Sequence, residues 1–331
     1  MKAKIERIQG CLLGGAVGNA LGAPVEFGQL DDIKACYGED GITFANFKGP
    51  AKITDDTQMT LFTANGLLLP GDKLTNIWNC YQDWLDTQTK HNKSEMTHRP
   101  VSWLVDDQRL FSVREPSNTC ITELKEKHFG SLTHPYNKNK GCGGIMRIAP
   151  IGLVNWSIEK VVEYSARASA LTHGSLISSI ASVFFATMIH YLSRMEIDIA
   201  QAIDKTIKIV KNLITKQPAR EEIIGEVNLA RMLAENSPDR DAANIASLGQ
   251  GWFADEALGI AVYCALKYEH DFKKAIEAAV NHDGNSDSTG NLTGQLLGAR
   301  YGTKVLPKAF LAKLELRDVI EKMADMFANV K

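Results

Sequence analysis

Glycine recurs at every fourth residue in two distant stretches, Gly14, Gly18 and Gly22 near the start and Gly290, Gly294 and Gly298 near the end. Residues i and i+4 share one face of an α-helix, and a glycine inside a helix costs about 1 kcal/mol against alanine. Three on one face are accounted for when another backbone packs very close there. Each set is a natural partner for the other. The chain is therefore expected to dock its first helix against a helix over 290–298.

Apolar spacing predicts helices through most of the remaining chain. Ile5, Ile8, Leu12, Leu13, Ala16, Val17 and Ala20 describe an amphipathic first helix ending at Gly22 and Pro24, with Glu26 and Phe27 in the loop beyond. Met59, Leu61, Phe62, Ala64 and Leu67 make another, ending near Gly66–Pro70, and Leu74 to Asp86 a third. Further helices are expected over roughly 157–170, 174–195, 197–214, 219–235, 253–269 and 271–280. Residues 87–100 and 129–144 read as loops, and 114–126 as a turn followed by a helix start that Ser117 to Thr119 can cap. Strand signals are few, and no repeat, low-complexity tract or linker interrupts the pattern. The expected architecture is one compact all-α domain over 1–331.

Composition narrows the function classes. The 37 basic residues nearly balance the 39 acidic ones, and no basic cluster carries interleaved aromatics, so neither nucleic acid nor an anionic membrane is an expected partner. The six cysteines are scattered without a CxxC pair, which favours neither a zinc site nor a disulfide framework and fits a reduced, cytoplasmic setting. Lys2, Lys4 and Arg7 before an apolar run loosely imitate a signal peptide, but Glu6 and four glycines favour a buried first helix. The apolar run from Ile177 to Leu192 is broken by serines and His190 and is shorter than the ~20 residues of a spanning helix.

Two polar clusters stand at helix starts. Thr54-Asp55-Asp56-Thr57 can be an ordinary N-cap with acids in the first turn. One cap needs only one side chain, however, and here four consecutive residues carry oxygen. Asn285-Ser286-Asp287-Ser288 repeats the arrangement. Together they can form an all-oxygen cage, a donor set that selects magnesium, calcium or manganese over zinc or copper. His173 is either a helix-start histidine or a ligand contact. His282 beside Asp283 is either a catalytic pair or a buttress for the cluster. Gly141-Cys142-Gly143-Gly144 can let backbone amides approach a phosphate, or can simply turn sharply.

In order and spacing these pieces resemble the ADP-ribosylglycohydrolase family along nearly the whole chain. The matching motifs are Gly18-Asn19-Ala20-Leu21-Gly22 with Glu26, Thr54-Asp55-Asp56-Thr57, and Gly141-Cys142-Gly143-Gly144-Ile145-Met146-Arg147. Leu171-Thr172-His173, Gly249-Gln250-Gly251-Trp252 with Glu256-Ala257-Leu258, and Gly284 to Gly290 complete the set. The resemblance implies a compact, orthogonal all-α fold with a binuclear magnesium or manganese centre in a cleft. Thr54, Asp55, Asp56, Asn285, Asp287 and Ser288 then fall on metal-ligand positions, and Glu26 on a glutamate near the metals that gates the site. Gly141, Cys142, Gly143, Gly144, Met146 and His173 fall on positions lining the ADP-ribose pocket.

The implied reaction is hydrolysis of the N-glycosidic bond between ADP-ribose and protein arginine, with Asp55 or Asp56 orienting water and Glu26 as a second candidate. The Asp-Ser-Thr-Gly wording at 287–290 resembles the arginine-specific branch more than the serine-specific one. The implied partners are ADP-ribose and an ADP-ribosylated protein. Serine-linked or O-acetyl conjugates are the alternative substrates. Because the family also contains immunity-type and crystallin-like relatives, a catalytically weak ADP-ribose binder is the alternative of another class. Two positions depart from the pattern, Asn19 and Asn285, where the family has aspartate. Asn285 leaves the proposed centre one negative charge short.

Overall fold

The computed structural model describes residues 3–236 and 240–329, and among these it contains sixteen α-helices and no strand. In order they are α1 Ile5–Gly22, α2 Leu30–Tyr37, α3 Asp55–Leu68, α4 Lys73–Thr89, α5 Asn118–Lys125 and α6 Ala149–Leu153. Next come α7 Ile158–Ala170, α8 Leu176–Arg194, α9 Ile199–Leu213, α10 Pro218–Asn236 and α11 Asp241–Leu248. The last five are α12 Ala254–Lys267, α13 Phe272–Val280, α14 Ser286–Tyr301, α15 Lys308–Leu311 and α16 Arg317–Ala328.

The two glycine faces meet. A Cβ added to Gly294 would overlap the Gly14 carbonyl, one on Gly290 the Gly18 carbonyl, and one on Gly298 the carbonyl of Gly10. The pairing runs antiparallel, and Gly22 ends it against the Ser286 carbonyl at the start of α14. Gly10 thus extends the series one turn beyond the spacing noted from Gly14. Side chains elsewhere would hold these axes further apart, because interhelical distance follows the residues at the contact.

α1 is not the amphipathic helix its apolar spacing predicts. Fifteen of its eighteen residues are buried, since α3, α6, α13 and α16 cover the faces that α14 leaves. A helix enclosed on all sides has no polar face to keep. The segment Ile5–Val25 and the helix Leu176–Arg194 are each long and apolar enough to cross a membrane, but they are 83% and 78% buried among other helices. α8 falls within the 174–195 span expected for it, and the serines at 178, 179 and 182 that interrupt its apolar run are themselves buried.

Apolar spacing marks no helix at α2, α6, α11 or the α15–α16 region. α2 buries a single residue, Ile33, so its apolar period is nearly silent. Its amino end is fixed from outside, by the Leu30 N–H donating to Asp283 Oδ1 at 2.7 Å. The expected caps at Ser117–Thr119 are also absent as such: Ser117 precedes α5 without capping it, and its N–H serves Asp55 instead.

Candidate active site

Docking α1 against α14 carries Asn19 to the amino ends of two other helices. Thr54 and Asn285 occupy the N-cap positions of α3 and α14, and neither side chain caps its own helix. Thr54 Oγ1 instead donates to Asp287 Oδ2 at 2.7 Å. Asn19 Oδ1 accepts from the Thr54 N–H and the Thr57 hydroxyl, both at 2.8 Å. Its Nδ2 donates to Thr54 Oγ1 at 2.6 Å and to Asp287 Oδ2 at 3.3 Å. Four contacts from one buried amide hold the first turns of both helices in register. The ordinary helix-cap reading of the Thr-Asp-Asp-Thr motif does not describe these side chains.

One oxygen from each of Asp55, Asp56 and Asp287 lies within 4.8 Å of the others, and all three residues are buried. Asp55 Oδ2 accepts from the Ser117 N–H at 2.9 Å, and Asp56 Oδ1 from Asn291 Nδ2 at 3.2 Å. The Ser288 N–H donates to Asp287 Oδ1 at 2.8 Å, and the Ser288 side chain reaches Asp56.

Burial is the main force on these acids, and mutual repulsion adds to it. Asp55 is pushed up to about 8, Asp287 to about 6 and Glu26 to about 10, with Asp56 also well above its usual range. Glu26 feels Asp287, Asp56, Asp55 and Glu115 at once. So many carboxylates cannot all ionise in one buried space without a counter-charge. Two further acceptors, Asn285 Oδ1 and Glu26 Oε2, are buried without any hydrogen-bond partner. Orphaned acceptors beside clustered carboxylates, with no nitrogen or thiolate donor among them, fit hard divalent cations.

The acids open onto a cleft of ≈ 320 Å³. Asp55, Asp56, Glu26, Asn285 and Ser288 line it, as do Gly141, Cys142, Gly143, Met146 and His173. Gly144 does not: it packs behind the wall, where a Cβ would overlap the Ser169 and Ser178 hydroxyls. Thr54 and Asp287 likewise stand behind the lining. Phe27 stacks on Trp252 at the mouth, with ring centroids 5.4 Å apart and planes inclined by 24°.

Phe27 (φ 67°) and Glu115 (φ 51°) are non-glycine residues in the left-handed region, and both line this cleft. Such strain concentrates where a site imposes it. Neither Glu115 nor Ser117's N–H was singled out from sequence, because nothing in Arg114-Glu115-Pro116-Ser117 marks a site.

A sequence model of ADP-ribosylglycohydrolase matches residues 1–331. The chain belongs to the ADP-ribosylglycohydrolase family. It is 30% identical over 195 residues to an ADP-ribosyl-dinitrogen reductase glycohydrolase of Rhodospirillum rubrum, an alignment covering 56% of this chain and 58% of that relative. It is 24% identical over 326 residues to an uncharacterized protein of Archaeoglobus fulgidus, covering 96% and 95% of the two chains. The solved structure of an ADP-ribosylglycohydrolase-related protein complex superposes with a TM-score of 0.63 at 22% identity, covering 99% of each chain, and so shares the fold.

Asn19 and Asn285, where aspartate is the expectation, have distinct surroundings. Asn19 uses its amide as donor towards Thr54 and Asp287, a task an ionised aspartate could not perform. Asn285 Nδ2 donates to Cys142 Sγ at 2.8 Å and to the Gly251 carbonyl at 3.3 Å, which leaves its Oδ1 free. His282 stays out of the cleft. It bonds the Asp283 carbonyl through Nδ1 at 2.8 Å and Thr289 Oγ1 through Nε2 at 2.9 Å, which is the buttressing arrangement.

Proposed function

We propose that this protein is a metal-dependent hydrolase that releases ADP-ribose from modified protein arginine. The observation that carries the reading is the buried triad Asp55, Asp56 and Asp287, of which Asp55 and Asp56 open onto a cleft beside two orphaned acceptors. The Rhodospirillum relative, whose name specifies an ADP-ribosylated protein, supports the substrate class. Thr54, Asp55, Asp56, Asn285, Asp287 and Ser288 would hold two magnesium or manganese ions. When bound, these ions supply positive charge for the ribose hydroxyls and acidify a coordinated water.

The chain's own residues do the rest. Asp55 and Asp56 orient the attacking water, held in turn by the Ser117 N–H and by Asn291. Glu26 lines the cleft beside Asp55 and Asp56, where it is placed to hold or release a proton. The wall formed by Gly141, Cys142, Gly143, Met146 and His173 receives the ADP-ribose, and small residues there let a bulky diphosphate approach the backbone. Cleavage of the C1″–N bond has oxocarbenium character and needs water excluded from all but one face of the sugar. Phe27, Trp252 and Phe253 give the mouth an apolar rim suited to that exclusion.

The test is hydrolysis of an ADP-ribosylarginine peptide with magnesium, manganese and chelator compared, and with serine-linked and O-acetyl conjugates as parallel substrates. Metal-dependent release from arginine is the expected result. Release only from another conjugate moves the leaving group and keeps the hydrolase. Tight ADP-ribose binding without release from any of them favours the binder or immunity-type reading, for which the neutral amide at Asn285 is the specific ground.

A further inference from the structure

Arg147 is wholly buried, and among the described residues no carboxylate lies within ion-pair distance of it, although its charge is felt by Asp55. Its guanidinium lies 4.4 Å over the Tyr81 ring, and Nη1 reaches only the sulfurs of Cys120 at 3.3 Å and Met59 at 3.5 Å. Its one short hydrogen bond runs from Nη2 to Thr172 Oγ1 at 2.6 Å. Thr172 Oγ1 in turn lies 2.9 Å from His173 Nδ1. Arg147 Nη2 also reaches the Ala168 carbonyl, at 3.5 Å. A fully buried cation whose one short hydrogen bond goes to a hydroxyl is an unusual arrangement, and the hydroxyl leads straight to a residue of the cleft wall.

The proton positions follow from what each group can do. Arginine only donates, so Thr172 Oγ1 must accept from Arg147. The threonine's single proton is then free for another acceptor. Among the described residues the candidates are His173 Nδ1 and the thiol of Cys120, and an imidazole nitrogen is much the better acceptor. A hydroxyl that donates to Nδ1 requires Nδ1 to be unprotonated, which places the ring proton on Nε2. Nε2 has no hydrogen-bond partner among the described residues. It faces the Gly141–Gly143 loop, where a Cβ on Gly143 would come within 3.1 Å of it.

We infer that Arg147 and Thr172 are positioning residues that lock His173 as its Nε2–H tautomer, so that the cleft wall presents a fixed N–H donor to an acceptor oxygen of the ligand. The turn that carries His173 is clamped to match. Asn137 Nδ2 donates to the Thr172 carbonyl at 2.8 Å, its Oδ1 accepts from the Gly174 N–H at 3.0 Å, and the His173 N–H reaches the Ser169 carbonyl at 3.0 Å. Burial, with the Arg147 charge adding to it, holds the His173 imidazole down at about 3, so the ring stays neutral at working pH. A neutral ring in one tautomer gives a directed donor and no net charge. That is the form a site needs where an oxygen must be placed and not merely attracted.

The identity of the acceptor as a phosphate or ribose oxygen of ADP-ribose rests on the proposed function; the tautomer does not. The experiment uses the full-length protein labelled with ¹⁵N-histidine, with His173→Gln to assign the His173 ring signals. Proton–nitrogen correlation reads the tautomer in the wild type, Thr172→Val and Thr172→Ser, and calorimetry reads ADP-ribose affinity in the same three proteins with magnesium present. The wild type is expected to show only the Nε2–H form. Thr172→Val should show both tautomers and bind ADP-ribose about tenfold more weakly, the scale of one hydrogen bond, while Thr172→Ser retains both properties.

An Nδ1–H ring in the wild type overturns the lock, even should Thr172→Val fail to fold. A Thr172→Val protein with unchanged tautomer and affinity overturns it as well. Mixed tautomers in Thr172→Val with unchanged affinity overturn the donor role. A wild type that shows the Nε2–H form but binds no ADP-ribose supports the lock and removes the proposed function instead.

Discussion

Thr54 Oγ1 donates to Asp287 Oδ2 at 2.7 Å, joining the first turn of α3 to the first turn of α14 across 233 residues of sequence. A threonine preceding a helix ordinarily spends its hydroxyl on its own backbone. Here that hydroxyl is spent on a carboxylate of another helix, so the cluster is built at the expense of local capping. Each half contributes acids that burial and repulsion disfavour, and a cation between them would offset both costs. The consequences can be measured.

Removing divalent ions should abolish activity, and magnesium or manganese should restore it while zinc does not, because the donor atoms are all oxygen. The same ions should raise the melting temperature, since they bind the folded cage and not the unfolded chain. Thermal scans with chelator and with each metal check this. Full turnover in excess chelator would exclude a two-metal centre.

Asp55→Ala or Asp56→Ala should lower kcat by at least ~100-fold, through loss of charge and of ligand geometry together. The folded state should survive either change. Both carboxylates are raised by burial, so their removal relieves a penalty that offsets the lost hydrogen bonds. Turnover and melting temperature measured side by side distinguish this from simple misfolding. Near wild-type rates in both variants would return the motif to a structural role.

Gly294→Leu should destabilise the protein by about 3 kcal/mol or more, the upper range of overpacking. Even a methyl at this position would overlap the Gly14 carbonyl, which is backbone and cannot swing aside. Denaturant unfolding gives the number. An unchanged midpoint would mean that α1 and α14 are not in backbone contact.

The parts of this molecule legible in sequence are those with a short-range signature. Glycines four apart gave away the α1–α14 contact because only a close backbone explains their cost. The two oxygen-rich runs were legible because a cap needs one side chain and each run has several. Glu115 and Ser117 were not, since an unremarkable loop brings them to Asp55 and Glu26 only after α4 and α5 are packed. Arg147 was visible as a motif residue, but its burial against Tyr81 and Thr172 depends on α4 and the turn after α7, three segments that no local spacing relates. α1 is not amphipathic for the same reason: its polar-looking face is covered by α16 and α3, whose placement lies outside the helix itself.

Glu226 on α10 should make the protein less stable as pH rises. Burial, then the charges of Asp255, Glu256 and Glu222, raise it from 4.5 to about 7, and its Oε1 is buried without a partner. The folded state thus holds a proton that the unfolded chain has released. Stability is undiminished below about pH 4.5, falls through the interval, and carries the whole penalty above about pH 7. Glu226→Gln should therefore raise the melting temperature more at pH 8 than at pH 5. An equal change at both values would show that the carboxyl titrates normally in the folded protein.

Asn285→Asp changes charge at nearly constant shape, and the structure specifies what else it changes. The amide Nδ2 now donates to Cys142 Sγ at 2.8 Å and the Gly251 carbonyl at 3.3 Å; a carboxylate can do neither. The thiol can reverse its role and donate to the new oxygen, but the Gly251 carbonyl loses its partner. Without metal, a further buried acid joins Asp55, Asp56 and Asp287, so the melting temperature should fall slightly. With manganese the sign reverses, because the free Oδ1 position becomes an anionic oxygen facing the ions. Metal affinity and hydrolysis should then each rise on the order of tenfold. Calorimetric manganese titration of both proteins, beside the arginine-linkage assay, reads the two effects separately. If the exchange leaves affinity and rate unchanged while it lowers the metal-free melting temperature, Asn285 serves the Cys142 wall alone and is not a ligand.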